Sequence, residues 1–173
     1  MSRLPLLTPQ TAVGAARDML GELVDRHGQV GDMVRTMANS PAVLGGYLKF
    51  SRSMKRSKLD RRISERISIG VQVRQGCQTC LESHTAVARS LGIDDDEIDR
   101  ARRGTSADPV IAPIVAFGVQ VYAQPAAITT AEVEELQGLG YSNREIADVV
   151  GVVALNVLTG AFNLVAGLQP ARI

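Results

Sequence analysis

Nowhere along the 173-residue chain do apolar and polar residues alternate in the sustained manner of a half-buried strand. Helix punctuation is clear instead, and it predicts an all-α fold. Thr8-Pro9, Ser40-Pro41 and Asp108-Pro109 each offer an N-cap followed by proline at the first helical position. Thr129 with Glu132, and Ser142 with Glu145, have capping-box spacing, and Asp94 with Glu97 is the acidic equivalent. Leu91-Gly92 and Leu139-Gly140 read as helix exits. These signals predict helices near 9–26, 31–38, 41–54, 59–75, 77–91, 95–103, 109–123, 130–138 and 143–167. Gly104 to Asp108 reads as the most flexible loop. No repeat or linker divides the chain, so 1–173 is read as one domain.

The last of these helices is unusual. Val149 to Leu168 runs twenty residues without a charge, long enough to span a membrane. It also carries Asn156, Asn163 and three glycines, has Asp148 just ahead of it, and lacks a basic flank. The reading that follows is a buried helix, at the centre of a bundle or between subunits, with no membrane association.

Composition narrows the class further. Aromatic residues make up 3% of the chain and tryptophan is absent, which suits a helical bundle better than a sandwich or barrel. Lys and Arg number 19 against 18 Asp and Glu, so no global charge argues for nucleic acid or a membrane surface. Met1 to Leu7 has one arginine and no long apolar core, unlike a secretory signal. The expected setting is the cytoplasm. The basic run Arg52, Lys55, Arg56, Lys58, Arg61, Arg62, Arg66 reads as a solvated face, with an acidic partner surface as the sharper alternative.

The chemistry concentrates in Cys77-Gln-Thr-Cys80-Leu-Glu-Ser-His84, which holds both cysteines and one of the two histidines. On a helix, Cys77, Cys80 and His84 share one face. A thiol pair spaced in this way in a cytosolic chain is catalytic or metal-binding more often than a staple. Gly76 permits a sharp break between two helices. If those helices fold back on each other, Glu65 faces the second helix near His84, where it could orient the imidazole or pass a proton through a water. The helix start favours a thiolate at Cys77, whereas proximity to His84 favours Cys80. Cys77 and Cys80 are thus both candidate nucleophiles.

Glu65, eleven residues, Cys77, two residues, Cys80, three residues and His84 together resemble the signature of the alkylhydroperoxidase D (AhpD)-like branch of the carboxymuconolactone decarboxylase family. An Arg-rich helix before the CxxC, and His-Thr-Ala-Val-Ala-Arg then Leu-Gly-Ile after it, extend the resemblance over roughly residues 41 to 104. It implies an all-helical bundle with the CxxC at the start of a core helix, assembled as trimers or hexamers. It also implies thiol peroxidase activity toward hydrogen peroxide and organic hydroperoxides, with no cofactor. Carried over, Cys80 is the peroxidatic thiolate, Cys77 resolves its sulfenic acid as a disulfide, and His84 and Glu65 form the proton relay. The best-known members are re-reduced by a dithiol partner that carries lipoyl groups. Thr79 departs from the family, which often has a histidine or an aromatic residue there.

Other readings stay open at this point. The fold also supports a non-redox lactone decarboxylase working through histidine and acid groups, although such an enzyme has no use for the dithiol. The thiols could instead serve as a redox-sensing switch, or bind a metal with His84, for which a fourth ligand is missing nearby. Inert buried cysteines, a histidine His27 at a helix end, and a Glu65 paired with Arg61 or Arg62 are the plainest alternatives.

Overall fold

The computed structural model describes residues 2–170, and among them nine α-helices and one short 3-10 turn appear, with no strand. The helices are α1 (Gly14–His27), α2 (Asp32–Met37), α3 (Pro41–Met54), α4 (Arg61–Gln75), α5 (Gln78–Ser90), α6 (Asp95–Arg103), α7 (Ile111–Ala123), α8 (Thr130–Gly138) and α9 (Asn143–Ala166). The caps explain most of these boundaries. Thr129 and Ser142 each form the full capping box expected of them. Ser40 caps α3 with Pro41 in the first turn, and Asp94 Oδ1 accepts the Glu97 N–H at 2.8 Å.

The expected first helix begins late. Thr8 and Thr11 close a turn of their own, with Ala12 N–H donating to the Thr8 carbonyl at 2.8 Å and Thr8 N–H to the Thr11 hydroxyl at 2.9 Å. Hydroxyl side chains satisfy the backbone locally there, and the chain turns through extended Val13 before α1 starts at Gly14.

Helix α4 is the centre of the molecule and packs against α5, α6, α7 and α9. Seven consecutive residues, Arg66 to Gln72, are buried, so the helix is covered on every side rather than along one stripe. Two glycines make this possible. A Cβ on Gly70 would come within 2.8 Å of Val119, and one on Gly118 within 2.6 Å of the fully buried Ile67, so α4 and α7 cross almost backbone to backbone. Ile67, Val71, Ile114, Val115, Val149 and Val153 fill the core where α4, α7 and α9 meet.

Arg66 is a correction to the reading of the basic run as solvated. It lies 6% exposed, and its Nε bonds Glu97 Oε2 at 3.1 Å. Glu97 also accepts from the Ser106 hydroxyl and the Ala107 N–H, both at 2.7 Å. Burial pushes this carboxyl up, but those two bonds and the Arg66 guanidinium outweigh it and hold Glu97 below its ordinary value of 4.5. The segment 104–108, expected to be the most flexible loop, is therefore tied to α6 and α4 by one carboxylate.

Helix α9 is the one described helix long and apolar enough to cross a membrane. Its Ile146, Val149, Val153, Asn156, Gly160 and Asn163 form an inward stripe against the bundle. Its other side, with Val150, Val157, Leu164 and Val165, remains open and borders an apolar groove of ≈ 810 Å³ completed by Val121 and Tyr122.

Candidate active site

The two helices that carry the motif are joined by one residue in a left-handed conformation. Gly76 has φ 77, and both its N–H and that of Cys77 reach the Gln72 carbonyl, at 3.0 and 3.2 Å. This Schellman-like end of α4 turns the chain directly into α5. Cys77 becomes the N-cap of α5, its sulfur accepting the Cys80 N–H at 3.4 Å. Cys77 and Cys80 are bonded as a disulfide, with Cα atoms 5.3 Å apart.

The hairpin brings Glu65 to His84 as expected. Glu65 Oε2 lies 2.8 Å from His84 Nδ1, with the side chains 13% and 27% exposed. The alternative pairing of Glu65 with Arg61 or Arg62 is not formed. This contact commits Nδ1 to the carboxylate and leaves Nε2 free to serve the site. Among the described residues no hydrogen bond joins His84 to Cys80 directly.

The two sulfurs are not equivalent. Cys80 and His84 line a cavity of ≈ 250 Å³, whereas Cys77, 2% exposed, does not. The cavity walls mix apolar Met33, Tyr47 and Leu155 with polar Ser83, Asn156 and Thr159. The Cys77 and Cys80 sulfurs meet on one side of the helix start, as expected, but of the three motif residues only Cys80 and His84 line the cavity.

Four polar side chains outside the motif, Asn163, Asn156, Ser68 and Gln72, complete the site. Asn163 of α9 donates through Nδ2 to Cys80 Sγ at 3.2 Å. One stretch earlier, Asn156 Nδ2 donates to Ser68 Oγ at 2.9 Å while its Oδ1 accepts from Gln72 Nε2 at 2.8 Å. Gly160 lies between them and leaves room for Gln75 and Gln72: a Cβ there would overlap the Gln75 amide and approach Gln72 Oε1 to 2.7 Å. The signal was present in the sequence, since two asparagines seven residues apart in an uncharged run fall on one face of a helix. Thr79, the departure from the family pattern, donates its hydroxyl to the Leu168 carbonyl at 3.1 Å and so holds the end of α9 against α5. Among the described residues no three His, Cys, Asp or Glu side chains converge as a metal cage.

The helical bundle, with its cysteine pair at a helix start, has the fold of an alkylhydroperoxidase AhpD core. The chain is similar to the AhpD core of an uncharacterized peroxidase-related protein from Ralstonia eutropha JMP134, at TM-score 0.81 and 19% identity, covering 98% of this chain and 92% of that one. An uncharacterized peroxidase-related protein from Silicibacter sp. TM1040 is similar at TM-score 0.79 and 20% identity, covering 97% and 90%. The debrominase Bmp8, as a cysteine-to-alanine variant bound to 2,3,4-tribromopyrrole, is similar at TM-score 0.73 and 16% identity, covering 98% and 93%. No curated protein matches the chain by sequence. Residues 41–116, which carry the whole motif, match the carboxymuconolactone decarboxylase family.

Proposed function

We propose that the protein is a thiol-dependent peroxidase that reduces hydrogen peroxide and small organic hydroperoxides through the Cys77/Cys80 pair. The observation that carries this reading is the asymmetry of the dithiol: Cys80 opens on a cavity beside a carboxylate-bound imidazole, and Cys77 is closed off behind it. After reduction, the Cys80 thiolate attacks one peroxide oxygen. The S–O bond forms, the O–O bond breaks, and the departing alkoxide or hydroxide takes a proton from His84, leaving an alcohol or water and a sulfenic acid. Glu65 orients the imidazole through its bond to Nδ1. The Cys77 thiol then attacks the sulfenyl sulfur, water leaves, and the disulfide of the structure is restored. A dithiol donor supplies the two electrons and two protons that reopen it.

The donor is a dithiol-carrying protein, lipoyl-bearing as in the best-known members of the family, acting in the reducing cytoplasm. The working form is a homo-oligomer, a trimer or hexamer. Support for assembly comes from the apolar face of α9 and its ≈ 810 Å³ groove, a surface larger than lone exposed hydrophobics would make.

Peroxide consumption with a dithiol reductant tests the activity directly, before and after alkylation of the reduced protein. Turnover that alkylation abolishes is the expected outcome. No turnover from a protein that still cycles between dithiol and disulfide would replace the peroxidase with a redox-sensing module, and turnover surviving alkylation would assign the chemistry elsewhere.

A further inference from the structure

The helix start favours a thiolate at Cys77 and the imidazole favours one at Cys80, so the motif alone does not choose between them. Asn163 breaks the tie from outside the motif. It sits two turns along α9 from Asn156, 6% exposed, and its amide N–H reaches the Cys80 sulfur and not that of Cys77. Its other amide atom, Oδ1, is buried and has no hydrogen-bond partner among the described residues. A buried carbonyl without a donor is costly and calls for an explanation. Cys80, His84 and Asn163 all line the same cavity, and Oδ1 belongs to the amide whose N–H already meets the sulfur on which a sulfenic hydroxyl would form.

We propose that Asn163 is a catalytic residue that holds Cys80 as the attacking thiolate and then holds its sulfenic acid. In the reduced protein the Nδ2 hydrogen is donated to the thiolate, a charge-assisted bond from a side-chain donor that Cys77, capped only by the Cys80 N–H, does not receive. When the thiolate takes the peroxide oxygen, the new Sγ–O–H group needs an acceptor, and the orphan Oδ1 supplies it. The sulfenic acid is then held until Cys77 displaces its hydroxyl as water. Asn156, fixed by Ser68 and Gln72, and Gly160, which admits Gln75 and Gln72, keep α9 close enough to α4 and α5 for this contact. The thiolate half of the proposal stands on geometry alone, and the sulfenic half rests on the peroxidase reading.

The test compares Asn163→Leu and Asn163→Asp with the parent, each in a Cys77→Ser background that leaves Cys80 as the single thiol. The pH midpoint of alkylation by iodoacetamide should rise by about one unit in Asn163→Leu, the loss of one charge-assisted bond. It should rise further in Asn163→Asp, where an acceptor of similar shape replaces the donor. The same substitutions in a Cys80→Ser background should leave the Cys77 midpoint in place. After one equivalent of hydrogen peroxide, dimedone should trap severalfold less sulfenic acid in Asn163→Leu, with sulfinic acid found by mass in its place. Should Asn163→Leu fail to fold by circular dichroism, Asn163→Asp carries the comparison. An unmoved Cys80 midpoint in a folded variant, or equal shifts at Cys77 and Cys80, overturns the proposal. Shifted midpoints in a protein that never turns over peroxide would uphold the thiolate role and sink the peroxidase, so the two failures are separable.

Discussion

Removing the carboxylate behind His84 separates the proposed proton relay from the dithiol. Glu65→Gln keeps the shape and one acceptor for Nδ1–H but discards the charge. A hydrogen bond to a charged group contributes about 1.5–3 kcal/mol, and a neutral one about half of that. The Glu65–His84 contact is short at 2.8 Å, but His84 is 27% exposed, which screens the charge and favours the lower end. The loss is then about 1 kcal/mol, or roughly fivefold in the rate of peroxide attack. His84→Ala removes the proton-transfer group itself and should cost about 10²-fold or more. Because Glu65 is argued to act through His84, Glu65→Gln should add nothing once His84 is alanine. Peroxide consumption by stopped flow gives the four rates of this cycle. Alkylation against pH should show the Cys80 reactivity midpoint moving up in His84→Ala and less in Glu65→Gln, and the rate differences should narrow well above the ordinary thiol value of about 8.5. Additive losses in the double variant, or unmoved midpoints in both single variants with helices intact, would reduce the Glu65–His84 pair to a packing contact.

The remaining expectations can be checked separately. Cys80→Ser should abolish turnover, whereas Cys77→Ser should react once and stop at the sulfenic acid, visible by mass spectrometry; multiple turnovers in both would refute the assignment. Glu97→Gln leaves Arg66 buried beside a neutral partner and should cost about 2–3 kcal/mol, lowering Tm by ~5–10 °C. Since the folded protein holds Glu97 below 4.5, its contribution is fully present above that pH and is lost as pH falls through the depressed value, so the variant should show a shallower loss of stability in acid than the parent. Native mass spectrometry should report a multiple of the 18.5 kDa chain, three or six in number, and a monomer at micromolar concentration would leave the outer face of α9 without its proposed partner.

Much of this architecture was legible because its signals are local. The capping boxes at Thr129 and Ser142, the proline at the start of α3 and the glycine that ends α4 act through bonds within a few residues, and each boundary fell where those bonds place it. The Glu65–His84 contact was also accessible, because one glycine and two helical periods suffice to fold α5 back along α4. Where local chemistry had two solutions the sequence chose less well, as at Thr8, whose hydroxyl partner Thr11 closes a turn in place of a helix start.

What the tertiary structure alone decided depends on partners far apart in the chain. Arg66 could not be told from its basic neighbours until Glu97, thirty-one residues on, gave it a buried counter-charge. The donor that reaches one sulfur and not the other comes from α9, which brings Asn163 to Cys80 from eighty-three residues away. Sequence spacing determines which side chains share a helix face; only packing of one helix on another determines which of them is buried, which meets a cavity, and which receives a donor.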